Sequence, residues 1–183
     1  MNRLQCDGVI IALIDALAHH GSWCGETHIQ KSAYFLSRLE HGSICFSFIL
    51  YKHGPFSFEL RDELTALRAR SFLQLEATFP YGSRFRPTSA GDILKTISAQ
   101  FVTKRQTAID FVAEKLAGYG VASLERLTTA LYFSGAGDRE ARIKKIRDAK
   151  PHISDELADA AITEVDGILR EWKSVAAKAS KAA

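Results

Sequence analysis

Residues 51–87 read YKHGPFSFEL RDELTALRAR SFLQLEATFP YGSRFRP, and the fold turns on this stretch. Lys52-His53-Gly54-Pro55 spells a turn that launches a helix. Proline suits the first helical position, because that N–H has no intrahelical partner and the ring already holds a helical φ. Phe56, Leu60, Leu64 and Leu67 recur at helical spacing and predict a helix over residues 56–70. Ser57 can bond a free N–H in its first turn. The other side carries Glu59, Arg61, Asp62, Glu63, Arg68 and Arg70. Residues 72–79 predict a strand, Pro80-Tyr81-Gly82-Ser83 a turn, and residues 84–87 a return strand with Arg84 and Arg86. A helix followed at once by a short hairpin is how a winged helix ends.

The flanks complete that pattern. Leu4, Ile10, Ile11, Ile14 and Leu17 mark a helix over residues 4–20, closed by Gly21. Thr27-x-x-Gln30 reads as a capping box that starts a second helix, with Ile29, Ala33, Leu36 and Leu39 as its stripe. Alternating apolar residues over 43–51 predict a strand. A capping-box-like start at Ser89 leads into a long helix over residues 89–117, with Ile93, Ile97, Phe101, Ala108, Val112 and Leu116 on one face. Lys104-Arg105-Gln106 is the expected place for a bend. Shorter helices follow over 123–133 and, from an Asp138 cap, 138–149. A linker, Lys150-Pro151-His152-Ile153, precedes a last helix capped by Ser154, with Leu157, Ala161, Val165, Ile168 and Trp172 as its buried face. The expected class is mainly α (α+β). A winged-helix-like domain with a small β-hairpin wing covers residues 1–88, and a helical subdomain covers 89–183.

Composition narrows the function. The chain has 183 residues, 46% hydrophobic and 25% charged, ordinary for a globular protein. Its 24 basic and 21 acidic residues give +3, which permits contact with nucleic acid without requiring it. The most apolar N-terminal run, residues 9–17, is interrupted by Asp15 and is too short to span a bilayer, so no membrane role is expected. Three cysteines, no CxxC spacing and no secretory signal point to a reducing cytoplasm.

Catalytic signatures are sparse. No G-x-S-x-G, no phosphate-binding glycine loop and no Cys–His spacing of a zinc site occurs in the sequence. Cys24, beside Trp23, reads as a small apolar residue. The expectation is a non-enzymatic protein with no metal or cofactor.

Four blocks carry a family resemblance. Thr27-x-Ile29-Gln30-Lys31-x-x-Tyr34-Phe35-Leu36 is similar to a T-x-LQK-x-x-YFL helix of small bacterial proteins. Tyr51-Lys52-His53-Gly54-Pro55-Phe56-Ser57-x-Glu59-Leu60 resembles their Y-x-x-GP-(Y/F)-S-x-EL signature. Leu124-Glu125-x-Leu127-x-x-Ala130-Leu131-Tyr132 and Lys150-Pro151-His152-Ile153-Ser154 match two more. Together they resemble the YwgA-like group, a relative of the SocA-like Panacea antitoxin domain. The resemblance implies an interaction module that binds a protein partner such as a toxin, and no particular reaction.

Two surfaces follow. Tyr51, Lys52, His53, Pro55, Phe56 and Phe58 form the candidate protein-binding edge. Arg61, Arg68 and Arg70 on the third helix, with Arg84 and Arg86 on the wing, form the candidate contact to double-stranded DNA. Against the second stand Glu59, Asp62 and Glu63 on the same helix. The helix over 89–117 also offers a surface for a second copy, so a homodimer is a further expectation.

Overall fold

Asn2 opens the first helix with a reciprocal cap. Its side chain accepts from the Gln5 N–H at 3.1 Å, and the Gln5 side chain accepts from the Asn2 N–H at 2.9 Å. The computed structural model describes residues 2–42, 44–79 and 82–182. Eight α-helices and two antiparallel hairpins are assigned among them: α1 Arg3–His19, α2 Glu26–Leu39, β1 Ile49–Tyr51, β2 Gly54–Phe56, α3 Phe58–Ala69, β3 Leu73–Thr78, β4 Gly82–Pro87, α4 Ser89–Ile97, α5 Ala99–Leu116, α6 Val121–Tyr132, α7 Arg139–Ala149 and α8 Asp155–Ala182. The fold is mainly α, with a winged-helix-like arrangement and a C-terminal helical part.

The chain divides into two compact units. One holds Met1–Phe48 with Ser57–Gly118, and the other holds Ile49–Phe56 with Tyr119–Ala183. In the first, Ile10, Ile11, Leu13, Ile14 and Leu17 of α1 are fully buried, as are Ile29, Ala33 and Leu36 of α2. Helix α1 packs on α4 and α5, which groups the residues after 88 as far as 118 with the first unit. β3 and β4 pair from Leu73↔Pro87 to Thr78↔Gly82. The turn expected at Pro80-Tyr81 lies outside the described residues.

In the second unit, β1 pairs with β2 as Ile49↔Phe56, Leu50↔Pro55 and Tyr51↔Gly54. Helix α8 packs on α6 and α7. Arg142 of α7 grips Asp166 of α8 through two bonds of 2.9 Å. Arg139 adds Asp159 and, at 2.6 Å, Thr163.

Several expectations change at this scale. The capping box at Thr27 does not form: Gly25 is the N-cap of α2, and Gln30 spends its amide elsewhere. Pro55 is not a helix start. Gly54 has φ +84°, the left-handed backbone glycine tolerates, and this turns residues 54–56 into strand β2 paired with β1. Helix α3 then begins at Phe58, with Ser57 accepting the Leu60 N–H at 3.1 Å. The strand expected over 43–51 shortens to Ile49–Tyr51, and Ser43 lies outside the described residues.

The helix expected over 89–117 is two helices. Its break falls at Ser98, not at residues 104–106, and Thr88 rather than Ser89 caps α4. Buried Ser98 donates to the Leu4 carbonyl at 2.9 Å, so the junction is pulled onto α1. Ile93 and Ile97 are left outside, 62% and 70% exposed, while Leu94 is buried. In α8, Ala158 and Ile162 join Ala161, Val165 and Ile168 in the core, and Leu157 faces out. Leu4 is exposed as well. The Asp138 and Ser154 caps form as expected.

Helix α1 meets the α4–α5 junction at Gly8. A Cβ there would lie 2.4 Å from Ser98 Cβ, a separation that forces one of the helices to move. Gly8→Ala should therefore destabilise the protein by about 1–2 kcal/mol, because overpacking outweighs alanine's better helix propensity. Urea denaturation measures it, and an unchanged or raised midpoint would contradict the close approach.

Candidate functional site

The arginines expected to contact DNA all lie in the first unit, in different states of occupation. Arg61 is exposed on α3, 3.0 Å from Asp62 and over the Phe58 ring. Arg68, next to last in the helix, is exposed, and its side chain makes no hydrogen bond or ion pair among the described residues. Arg70 turns back into the unit: it reaches Asp7 at 3.1 Å and Glu63 at 2.5 Å, and it lies over the Phe72 ring.

The wing places Arg84 and Arg86 on one face of β4, because Phe85 between them is buried on the other. Opposite them, Glu76 takes Arg84 at 2.7 Å and Arg86 at 3.7 Å. Arg84 also covers the Trp23 ring. The segment carrying Trp23 joins the wing edge, since the Phe85 N–H donates to the Cys24 carbonyl at 2.9 Å. The structure therefore brings Arg84, Arg86 and Trp23 together, leaves Arg61 and Arg68 on the exposed face of α3, and removes Arg70.

The candidate protein-binding edge is split between the units. Tyr51, Lys52, His53, Pro55 and Phe56 belong to the second unit and Phe58 to the first. Tyr51, Lys52 and His53 are exposed, Pro55 is buried and Phe56 is half-buried. Pro55 thus shapes the hairpin and offers no contact surface. Ile49 and Tyr51 stand two residues apart on β1, so they share one face, and both are half-exposed.

Three residues that had not been assigned a role hold this hairpin. Lys150 is buried, and its Nζ donates to the Tyr51 carbonyl at 2.5 Å and to the Lys52 carbonyl. Glu125 of α6, also buried, lies 3.8 Å from Lys150, 3.3 Å from His152 Nε2 and 3.4 Å from His53 Nδ1. Burial pushes the Lys150 ammonium below its usual range, and the Glu125 carboxylate opposes that. Gly54 fits tightly on the same helix: a Cβ there would sit 3.1 Å from Thr129 Oγ1 and 3.2 Å from Thr128 Oγ1. The signal was legible as a single acid, Glu125, among the apolar residues of its helix.

A second cluster sits in the first unit. Asp7 is fully buried on α1 between Glu63 and Arg70. Burial pushes its carboxyl up to about 6, the Glu63 charge adds to the rise, and Arg70 opposes it. Next to Asp7 in sequence, Cys6 is joined to Cys45 in a disulfide, with Cα atoms 5.9 Å apart. Only the buried Cys24 is a free thiol, and burial raises its pKa.

Among the described residues, no group of three or more His, Cys, Asp or Glu side chains is placed to hold a metal ion. No described helix is long and apolar enough to cross a membrane. No protein-family model and no curated protein matches the chain.

The raised Asp7 pKa has a defined consequence for stability. The folded state holds this proton more tightly than the unfolded chain does. The resulting stabilisation is complete below the ordinary 3.8 and is lost as pH rises to about 6. In thermal melts, the stability of the natural protein relative to Asp7→Asn should fall between pH 4 and 6 and stay level above 7. A difference that grows with pH would mean that Arg70 dominates and holds the carboxyl ionised.

Proposed function

We propose that the protein acts by binding rather than catalysis, and that its first unit binds double-stranded DNA through α3 and the β3–β4 wing. The observation that carries this reading is the wing itself, a hairpin directly after α3 with Arg84 and Arg86 half-buried on one face beside Trp23. Arg68 adds an exposed guanidinium on α3 that no carboxylate occupies among the described residues. Arginine suits both phosphate oxygens and guanine edges.

The charge pairing sets the strength. Glu76 holds both wing arginines and Asp62 holds Arg61. A phosphate must displace these carboxylates, so binding is modest and rests on few contacts.

A second reading is favoured by the exposed Ile49–Tyr51 face of the second unit. There a protein partner would meet a hairpin already braced by Lys150, which limits the ordering cost of binding. The resemblance to Panacea-type antitoxin domains supports a toxin-like protein as that partner.

Fluorescence anisotropy with mixed-sequence duplex DNA separates the two readings. Three displaced counterions, one each for Arg68, Arg84 and Arg86, would weaken binding by about 40-fold between 50 and 200 mM salt. Arg68→Ala should lower the slope of log K against log salt by about one. No binding at 50 mM salt and micromolar protein would remove the DNA reading and leave the hairpin.

A further inference from the structure

The Cys6–Cys45 pair differs from an ordinary buried staple in the exposure of its two residues. Cys6 is buried in the first turns of α1, whereas Cys45 is exposed, between the end of α2 and β1. The pair borders a cavity of about 370 Å³ lined also by Arg3, Asp7, Phe46, Glu59, Asp62 and Glu63. Glu59 is tied to the Cys45 segment, since its carboxylate accepts the Ser47 N–H at 2.8 Å. Arg61 pairs with Asp62, Arg70 with Asp7 and Glu63, and Arg3 with Glu63 at 2.9 Å. Glu59 has no cation partner among the described residues, so four acids face three bases and the rim is acidic.

We propose that this disulfide is a thiol–disulfide exchange site open at Cys45, whose acidic rim favours cationic over anionic small thiols. An incoming thiolate attacks Cys45 Sγ, and a new S–S bond forms as the Cys45–Cys6 bond breaks. Cys6 leaves as a thiolate and takes a proton from water, after which the thiol can donate to the Asn2 carbonyl 3.0 Å away. A second thiolate attacks the sulfur of the bound small thiol. That step releases a small-molecule disulfide and leaves Cys45 as a thiol. The small thiol supplies both electrons, and the protein disulfide is the oxidant. Exchange releases the covalent tie between α1 and residues 44–48. Ser47–Glu59 and the ring contact of Phe48 with Tyr34 then hold that segment.

The test uses the oxidised full-length protein with cysteamine, 2-mercaptoethanol and glutathione. Rates are compared per thiolate and read by alkylation and intact mass. Cysteamine should react about fivefold faster than glutathione at low ionic strength, with 2-mercaptoethanol between them, and the gap should close in high salt. Glu59→Gln keeps an acceptor for Ser47 and should narrow the gap to about twofold. The trapped mixed disulfide should map to Cys45. Three alkylatable thiols after treatment with cystamine, an adduct at Cys6, or glutathione reacting as fast as cysteamine would each overturn the proposal.

Discussion

The first unit hangs on one reciprocal interaction. The side chain of Gln30, fully buried in α2, donates to the Ser57 carbonyl and accepts the Ser57 N–H, both at 2.9 Å. A buried amide that meets a backbone donor and acceptor at once leaves none of these groups unpaired, and breaking it would strand several of them. The hydroxyl of the same Ser57 caps α3. One glutamine therefore fixes where α3 starts and ties it to α2. The register of Leu60, Leu64 and Leu67 against the core follows from that start, and β3 follows α3 within a few residues.

Between α2 and α3 the chain leaves the first unit for eight residues and contributes the β1–β2 hairpin to the second. That excursion replaces the short turn a plain helix-turn-helix uses. In the second unit the hairpin is held by Lys150 on its carbonyls, with Glu125 neutralising the buried ammonium. Removing one member of such a pair is costlier than the pair's net contribution, because the other is left buried and uncompensated. Each unit thus has its own device for holding the segment between residues 44 and 60: a disulfide and an amide clamp in the first, and a lysine in the second.

Much of this was legible in the residues. Apolar spacing located α1, α2, α3 and the wing, and Asp138 and Ser154 marked their helix starts correctly. Errors arose where a tertiary partner outbid a local pattern. Gln30 looked like half of a capping box because only the distant Ser57 reveals its use. Pro55 looked like a helix start because a turn followed by proline fits a helix's first position as well as it fits the tight hairpin that pairs Leu50 with Pro55. Ile93 and Ile97 looked buried because periodicity does not say that Ser98 will dock on Leu4 and turn α4. At the candidate site, the residue types of the wing were readable while their occupation was not. Arg70 is consumed by Asp7, 63 positions away, and the Cys6–Cys45 bond joins residues 39 apart.

On the proposed reading, the clamp at Ser57 presents α3 and the wing to DNA. Hydrogen–deuterium exchange of the full chain with and without excess duplex DNA at low salt tests it most directly. Exchange over residues 58–70 and 73–87 should slow in the presence of DNA, with residues 49–56 unchanged. Protection confined to residues 49–56, or no protection at saturating DNA, would contradict the reading.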